Sequence, residues 1–249
     1  MTVSRSFVDA YLRAREREGR ILPDDVVRRL PHLPEGDDRR AEWKLRADSS
    51  DRLIGHLARI HRPLIVHDLG CGNGWLTARL AALDNATVVG FDVNDEELAQ
   101  ARRVFAGRPR LTYVLAEAAV HGVADVVVLA SVLQYIANPS ALLRELSAAL
   151  APEGAIHVLD TPLYDQADIA AARERTRQHF RSIGVPEMIV RYHHHGWSVL
   201  AGLDYAVLYD PAALRHRLAR RVLHKPRSPF PWVRITSGAR RVSRSAPAV

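Results

Sequence analysis

One short segment, HDLGCGNGW from His67 to Trp75, has the residue types and spacing of a nucleotide-binding turn. An apolar run precedes it and a helical pattern follows it, so its three glycines stand between a strand and a helix N-terminus. Backbone N–H groups at such a turn bind polar groups of nucleotide-like ligands at the carboxyl end of a sheet. The dinucleotide fingerprint G-x-G-x-x-G would need glycine at position 75, where the chain has tryptophan. The pattern is D-x-G-x-G-x-G, which disfavours a dinucleotide.

The elements that position this turn follow from the alternation of β-branched runs with helical patterns. Strands are predicted at residues 64–67, 86–91, 111–115, 125–130 and 155–159, and later at 204–209 and 232–235. Helical patterns lie between the first five, which indicates right-handed crossovers between parallel strands. The sequence therefore predicts an α/β protein. Its Rossmann-like, doubly wound sheet would have about seven mostly parallel strands, with helices on both faces and an N-terminal helical cap.

An acidic residue, Asp92, ends the second predicted strand, 18 residues after Gly74. A carboxylate accepts two hydrogen bonds and donates none, so it suits a ligand with paired hydroxyls. The glycine pattern followed by this acid resembles motif I and the ribose-binding acid of the class I S-adenosylmethionine-dependent methyltransferases, over about residues 60–160. The similarity is greatest to the small-molecule branch, the ubiquinone/menaquinone-biosynthesis-like enzymes.

The resemblance implies a cofactor, S-adenosylmethionine, with S-adenosylhomocysteine as product. It implies that Asp92 binds both ribose hydroxyls, that Glu117 lies near the adenine amino group and that the SVLQY turn after the fourth strand lines the methionine end. The cofactor-binding residues that it implies are Asp68, Gly70, Cys71, Gly72, Asn73, Asp92, Val93, Glu117, Ala118 and Ser131.

The resemblance also divides the chain. Residues 1–60 are expected to form an N-terminal helical cap, and residues 61–235 the methyltransferase domain, in which an insertion at about 161–203 covers the substrate pocket. A helix with a four-spaced stripe of Leu214, Leu218 and Val222 is expected before the last strand. Residues 236–249 are expected to be a basic, disordered tail.

Several classes of methyl acceptor are disfavoured by what the chain lacks. No Asn/Asp-Pro-Pro-aromatic segment follows the fourth strand, where amine-modifying DNA enzymes carry one, and the single cysteine, Cys71, stands in the glycine turn instead of serving as a nucleophile. Ser131 occupies the place of the metal-binding acid of catechol O-methyltransferases, so we expect no metal site. The favoured reaction is methyl transfer to an oxygen or nitrogen of a small metabolite.

Such a transfer needs a positioned acceptor and, where required, a base, and neutral imidazole is the natural base near pH 7. Three consecutive histidines, His193, His194 and His195, stand in the insertion. If the stretch is extended, the first and third share one face. We take these histidines and Tyr135 as catalytic candidates, with surface histidines and a metal site as the alternatives. The substrate-binding candidates at strand ends and in the insertion are Gln134, Asp160, Tyr164 and Tyr192.

Charge is distributed unevenly along the 249 residues. The formal net charge is +7, yet residues 211–249 contain ten Lys or Arg and no Asp or Glu. This segment could bind nucleic acid, anionic lipid or an anionic substrate, or could be a solvated surface. We expect a small-molecule substrate, with an anionic one as an open alternative, and expect nucleic acid not to be a partner. A non-catalytic or RNA-associated protein of the same fold is the alternative function.

Location and redox state follow from simpler counts. The longest apolar stretch, around residues 126–137, is too short to span a membrane, and the first residues lack the apolar core of a signal peptide. One cysteine excludes an internal disulfide. We expect a cytoplasmic protein that does not bind membranes.

Overall fold

A seven-stranded sheet forms the centre of the protein. The computed structural model describes residues 5–116, 123–213 and 227–237. The strands of the sheet are β1 (Leu64–Leu69), β2 (Ala86–Asp92), β3 (Leu111–Leu115), β4 (Ala124–Ala130), β5 (Leu150–Leu159), β8 (Asp204–Tyr209) and β9 (Trp232–Thr236). Their order is β3-β2-β1-β4-β5-β9-β8. Every pair among the first five strands is parallel, whereas β9 runs antiparallel to β5 and β8. The predicted fold class is confirmed.

The helices that connect and cover the strands are α1 (Arg5–Arg17), α2 (Asp24–Val27), α3 (Arg40–Leu57), α4 (Trp75–Leu80), α5 (Asp95–Val104), α6 (Pro139–Ala148) and α7 (Ile169–Ser182). Side-chain caps fix two of their starts. Asn138 Oδ1 accepts from the N–H of Ala141, and Asn94 Oδ1 accepts from the N–H groups of Glu96 and Glu97. The second cap holds the first turn of α5 beside the carboxyl end of β2.

Two apolar layers enclose the sheet. Leu53 and Leu57 of α3 pack with α4 and with one face of β1, β2 and β4, while Leu143 and Leu146 of α6 pack on the opposite face. α2 packs against α5 instead. The N-terminal 60 residues therefore pack on three different parts of the fold: α3 on the sheet and α4, α2 on α5, and α1 on the segment between β5 and β8.

The insertion between β5 and β8 contains a small parallel pair, β6 (Leu163–Tyr164) and β7 (His195–Gly196), together with α7. Ala10 and Ala14 of α1 pack with Phe180, Val185 and Met188 of the insertion in one buried cluster. We call α1 together with the insertion the cap.

Several details of the sequence interpretation change at the chain ends. β9 extends through Thr236, whose Oγ1 donates to Asp204 Oδ2 at 2.7 Å, so placing Thr236 in the tail was wrong. The predicted stripe of Leu214, Leu218 and Val222 lies outside the described residues, as does the tail from residue 238 onward. Among the described residues, no helix is long and apolar enough to cross a membrane.

Candidate functional site

The glycine turn between β1 and α4 needs glycine for two separate reasons. Gly70, Gly72 and Gly74 have φ angles of 71°, 53° and 76°, a region that side chains disfavour. A Cβ on Gly70 would stand 2.5 Å from Val132 Cγ2, and one on Gly74 would stand 2.5 Å from Tyr113 Oη. The chain after β4 and the ring from β3 therefore close directly onto the turn.

Asp92 stands at the carboxyl end of β2, next to this turn. Its Oδ2 accepts from the N–H of Gly72 at 2.7 Å, and its Oδ1 accepts from the N–H of Asn94 at 2.9 Å. Burial raises the pKa of Asp92, and these backbone donors partly oppose the rise. The carboxylate is thus held in place beside the turn before any ligand arrives.

Asp68 has a different position from the one that its place in the motif suggested. Its side chain is 1% exposed, and it accepts from Thr77 Oγ1 at 2.7 Å. Burial, aided by the charge of Asp92, raises its pKa to about 7. Asp68 does not line the cavity that opens from the turn. Its hydrogen bond to Thr77 ties the turn to α4 from within the core.

A second acid beside the turn was not singled out from the sequence. Glu97 lies in the first turn of α5, where acids are common because of the helix dipole, and that ordinary explanation hid its position. Its Oε2 accepts from Asn94 Nδ2 at 3.3 Å and would lie 3.4 Å from a Cβ on Gly72. Burial and the neighbouring charge of Asp92 raise its pKa to about 7.

A cavity of about 690 Å³ opens from the glycine turn. Its walls are the turn, the carboxyl ends of β4 and β5, α3, and the cap. The predicted residues that the structure brings together on these walls are Gly70, Cys71, Gly72, Asn73, Ser131, Gln134, Tyr135, Asp160, Tyr164 and Tyr192. Cofactor and substrate candidates therefore share one continuous space.

The ends of β4 and β5 carry polar groups in unusual backbone conformations. Ser131 and Asp160 have φ angles of 59° and 51°, and such non-glycine positions cost about 1–3 kcal/mol and cluster at functional sites. Ser131 Oγ donates to Asp160 O at 3.1 Å. The Asp160 carboxylate accepts from Ser49 Oγ at 2.8 Å and from Ser228 Oγ at 3.3 Å. Burial raises its pKa, and the positive charge of Arg46 opposes this.

The three histidines alternate as an extended segment requires. The rings of His193 and His195 stack at 6.0 Å, and His195 Nε2 is hydrogen-bonded to Leu133 O at 2.9 Å. His194 lies on the other side, with Nε2 hydrogen-bonded to Thr176 Oγ1 at 2.8 Å. Burial lowers the pKa of all three.

None of the three histidines lines the cavity within the described part of the chain. His194 comes nearest through its neighbours, because Thr176, Tyr164 and Tyr192 all line it. The His194 ring lies 5.7 Å from the Tyr164 ring and 5.3 Å from the Tyr192 ring. The catalytic role of His194 therefore stays a prediction, and any effect on a ligand in the cavity would pass through these wall residues.

The remaining predicted residues stand apart. Glu117 and Ala118 lie outside the described residues. Neither Asp92 nor Val93 lines the cavity, although the Asp92 carboxylate is hydrogen-bonded to Gly72, which does. Among the described residues, no group of three or more His, Cys, Asp or Glu is arranged to hold a metal ion.

The N-terminal helix supplies wall residues that sequence reasoning missed. Tyr11, Ala14, Arg15 and Glu18 of α1 and its end all line the cavity. Their spacing of three and four residues places them on one helical face, which is visible in the sequence. What that face contacts is not visible there, because it depends on the packing of α1 against the insertion.

Comparisons with known proteins agree with this geometry. Residues 67–156 match a family model described as a methyltransferase domain. No match was found among curated proteins. The fold is similar to magnesium protoporphyrin IX methyltransferase (ChlM) from Synechocystis, a structure with bound S-adenosylhomocysteine, at 16% identity and a TM-score of 0.57 over 89% of this chain and 94% of that one. It is also similar to the YcgJ protein from Bacillus subtilis, at 16% identity and a TM-score of 0.53 over 64% of this chain and 70% of that one.

The family match includes the end of β1, the glycine turn, Asp92 and all of β2, β3 and β4. Residues 67–156 therefore match a methyltransferase domain, and the fold agrees with the predicted class of enzyme, a class I methyltransferase dependent on S-adenosylmethionine.

Proposed function

We propose that the protein transfers a methyl group from S-adenosylmethionine to an oxygen or nitrogen atom of a small metabolite. One observation carries the proposal: a single cavity joins the glycine turn to the tyrosine-lined ends of β4 and β5. Its volume of about 690 Å³ lies within the range of small-molecule sites, ~300–1,000 Å³. A cytoplasmic location belongs to the same proposal.

The residues present fit the cofactor. The turn offers a surface without side chains at Gly70 and Gly72, and the nearby Asp92 carboxylate suits paired hydroxyls. Ser131, at the end of β4, lines the same cavity on the side of the acceptor candidates. When bound, the cofactor supplies a methyl group on a sulfonium, which needs no further activation.

The protein's own contribution is then to orient the acceptor and to accept a proton from it. Tyr135 and Asp160 stand at the strand ends that line the cavity, and Asp160 is fixed by two serine hydroxyls. We retain the histidine triplet as part of the proposal, with His194 favoured. His194 acts as a positioning residue, since its Nε2 is bonded to Thr176 on the cavity wall.

The proposal is tested by following a labelled methyl group. The purified protein is incubated with trideuteromethyl S-adenosylmethionine and a mixture of small metabolites freed of RNA and protein, and products are identified by mass spectrometry. We expect a labelled small molecule with the wild type and with Asp95→Ala, an exposed acid on the same helix as Glu97, and strongly reduced label with Asp92→Ala. Label that appears only on added RNA or protein would contradict the proposal.

A further inference from the structure

A row of aromatic rings forms the wall of the cavity away from the glycine turn. The rings of Tyr11 and Tyr135 meet edge to face at 5.5 Å and 90°, and those of Tyr135 and Tyr192 at 5.7 Å and 85°. Tyr164 lines the same space. Three of these four tyrosines belong to the cap and Tyr135 to the turn after β4, so the row exists only because α1 and the insertion close over the strand ends. Such a wall suits a flat apolar ring, which can pack against the faces and edges of its members.

A guanidinium that has no ion pair among the described residues stands beside this wall. Arg15 is half-buried, its Cζ lies 5.7 Å from the centre of the Tyr11 ring, and its Nε is buried without a hydrogen-bond partner. Within the described residues Arg15 has no ion pair, and Glu97 and Glu18 act on its charge only from beyond ion-pair distance. An unpartnered buried donor on a cation is costly, so a ligand that supplies an anion here gains affinity.

Other arginines on the cavity wall also favour an anionic ligand. Glu42 pairs with two guanidiniums, those of Arg20 at 3.0 Å and Arg46 at 2.9 Å, and Arg20 also reaches Glu18 Oε2 at 3.6 Å. Arg175, on the wall near Tyr164, also has no ion pair among the described residues. Aromatic walls by themselves would also suit a cationic ligand, but Arg15 and Arg175, which have no ion pair among the described residues, repel one.

We propose that the methyl acceptor is a flat aromatic molecule with one acidic group, its ring against Tyr11, Tyr135 and Tyr192 and its acid on Arg15. This inference rests on the proposed function and narrows it to a substrate class. It is supported by burial, which raises the pKa of all three tyrosines, so that their phenols stay neutral beside an anion.

The test uses three matched probes in calorimetric titrations. 2-Naphthoate has the flat ring and the acid, 2-naphthamide has the same ring without charge, and decahydronaphthalene-2-carboxylate has the acid without a flat ring. Each is titrated with and without saturating S-adenosylhomocysteine, so the acid site is tested even if the cofactor fails to bind. We expect 2-naphthoate to bind about tenfold or more tightly than either other probe, because each of them loses one of the two contacts.

Variants assign the acid contact. Arg15→Gln should weaken 2-naphthoate binding about tenfold or more, and Arg15→Lys should recover part of the loss because it keeps the charge. Arg17→Gln is the control, since Arg17 is exposed on the same helix and does not line the cavity. Neither it nor the Arg15 variants should change affinity for S-adenosylhomocysteine.

Three results would overturn the inference: equal binding of acid and amide, no binding of 2-naphthoate to the wild type, or an Arg15→Gln effect confined to S-adenosylhomocysteine. The last would show that the guanidinium serves the cofactor. A wild type that binds 2-naphthoate but not S-adenosylhomocysteine would instead contradict the proposed function and leave the acid site standing.

Discussion

Asp68, in the glycine motif, and Asp92, at the end of β2, are two acids with different tasks. The Asp92 carboxylate lies beside the turn with both oxygens held by backbone donors, whereas Asp68 is enclosed in the core under Thr77. Both could be selected from the sequence, because each ends a strand. Their difference in burial could not, since it depends on how the turn and α4 fold over β1.

Substitution of Asp92 should act on the cofactor. Asp92→Ala removes the acceptor of ribose hydroxyls, so affinity for S-adenosylhomocysteine should fall by about 1.5–3 kcal/mol, the scale of charge-assisted hydrogen bonds. Calorimetry measures this, with Asp95→Ala as the control and thermal denaturation as the check on folding. Unchanged affinity in a folded Asp92→Ala protein would show that the carboxylate does not contact the cofactor.

Substitution of Asp68 should change the pH dependence of stability. Its pKa rises from 3.8 to about 7 on folding, so ionisation costs stability progressively as pH rises from about 4 to about 7. Asp68→Asn cannot ionise and can still accept from Thr77. The variant should therefore gain on the wild type across this window, by on the order of a few kcal/mol, in urea denaturation at about pH 4.5 and 7.5. A constant difference between the two proteins would contradict a buried, titrating Asp68.

At the scale of elements, the strands, the glycine turn and a covering insertion were predictable, and the packing of α1 against that insertion was not. The β-branched runs and the strand-turn-helix spacing are local signals, and β1 to β4 appear within two residues of the predicted bounds. β5 ends where predicted but begins five residues earlier, at Leu150. The sequence shows from residue spacing that Tyr11 and Arg15 share one face of α1, but it does not show what that face contacts. Its function depends on long-range contacts of Ala10 and Ala14 with the insertion, which no local pattern contains.

The histidine segment of the insertion gives a prediction at this scale. Replacement of all three histidines by alanine should leave cofactor affinity unchanged and lower kcat by about 10²–10⁴-fold if an imidazole assists proton transfer. Among single variants, His194→Ala should have the larger kcat effect, because its Nε2 is bonded to the wall residue Thr176, and His195→Ala should mainly cost stability through its bond to Leu133 O.

The pH profile distinguishes chemistry from structure in these variants. Because burial lowers the pKa of all three histidines below its usual value of 6.5, a positioning or basic imidazole should give the wild type an activity limb on the acid side of that value, and the triple variant should lack it. Identical profiles in the two proteins would remove the histidines from the mechanism.

For the whole molecule, the unevenly distributed charge raises the question of a second partner. Truncation after Ser237 removes Arg240, Arg241 and Arg244 while keeping β9 intact. We expect no binding of RNA or duplex DNA at physiological salt, because basic residues without aromatic partners form a weak recognition site. Filter binding at two salt concentrations tests this. Tight binding that is lost on truncation, with a log–log salt slope of roughly −2 to −3, would favour the RNA-associated alternative.

We expect the glycine turn and Asp92 to select S-adenosylmethionine over a dinucleotide. Calorimetric titration of the wild type with S-adenosylhomocysteine and, separately, with NAD tests it most directly. The structure predicts one site for S-adenosylhomocysteine and no binding of NAD, since Trp75 stands where the dinucleotide fingerprint requires glycine. Binding of NAD, or no binding of S-adenosylhomocysteine, would contradict this expected selectivity of the glycine turn.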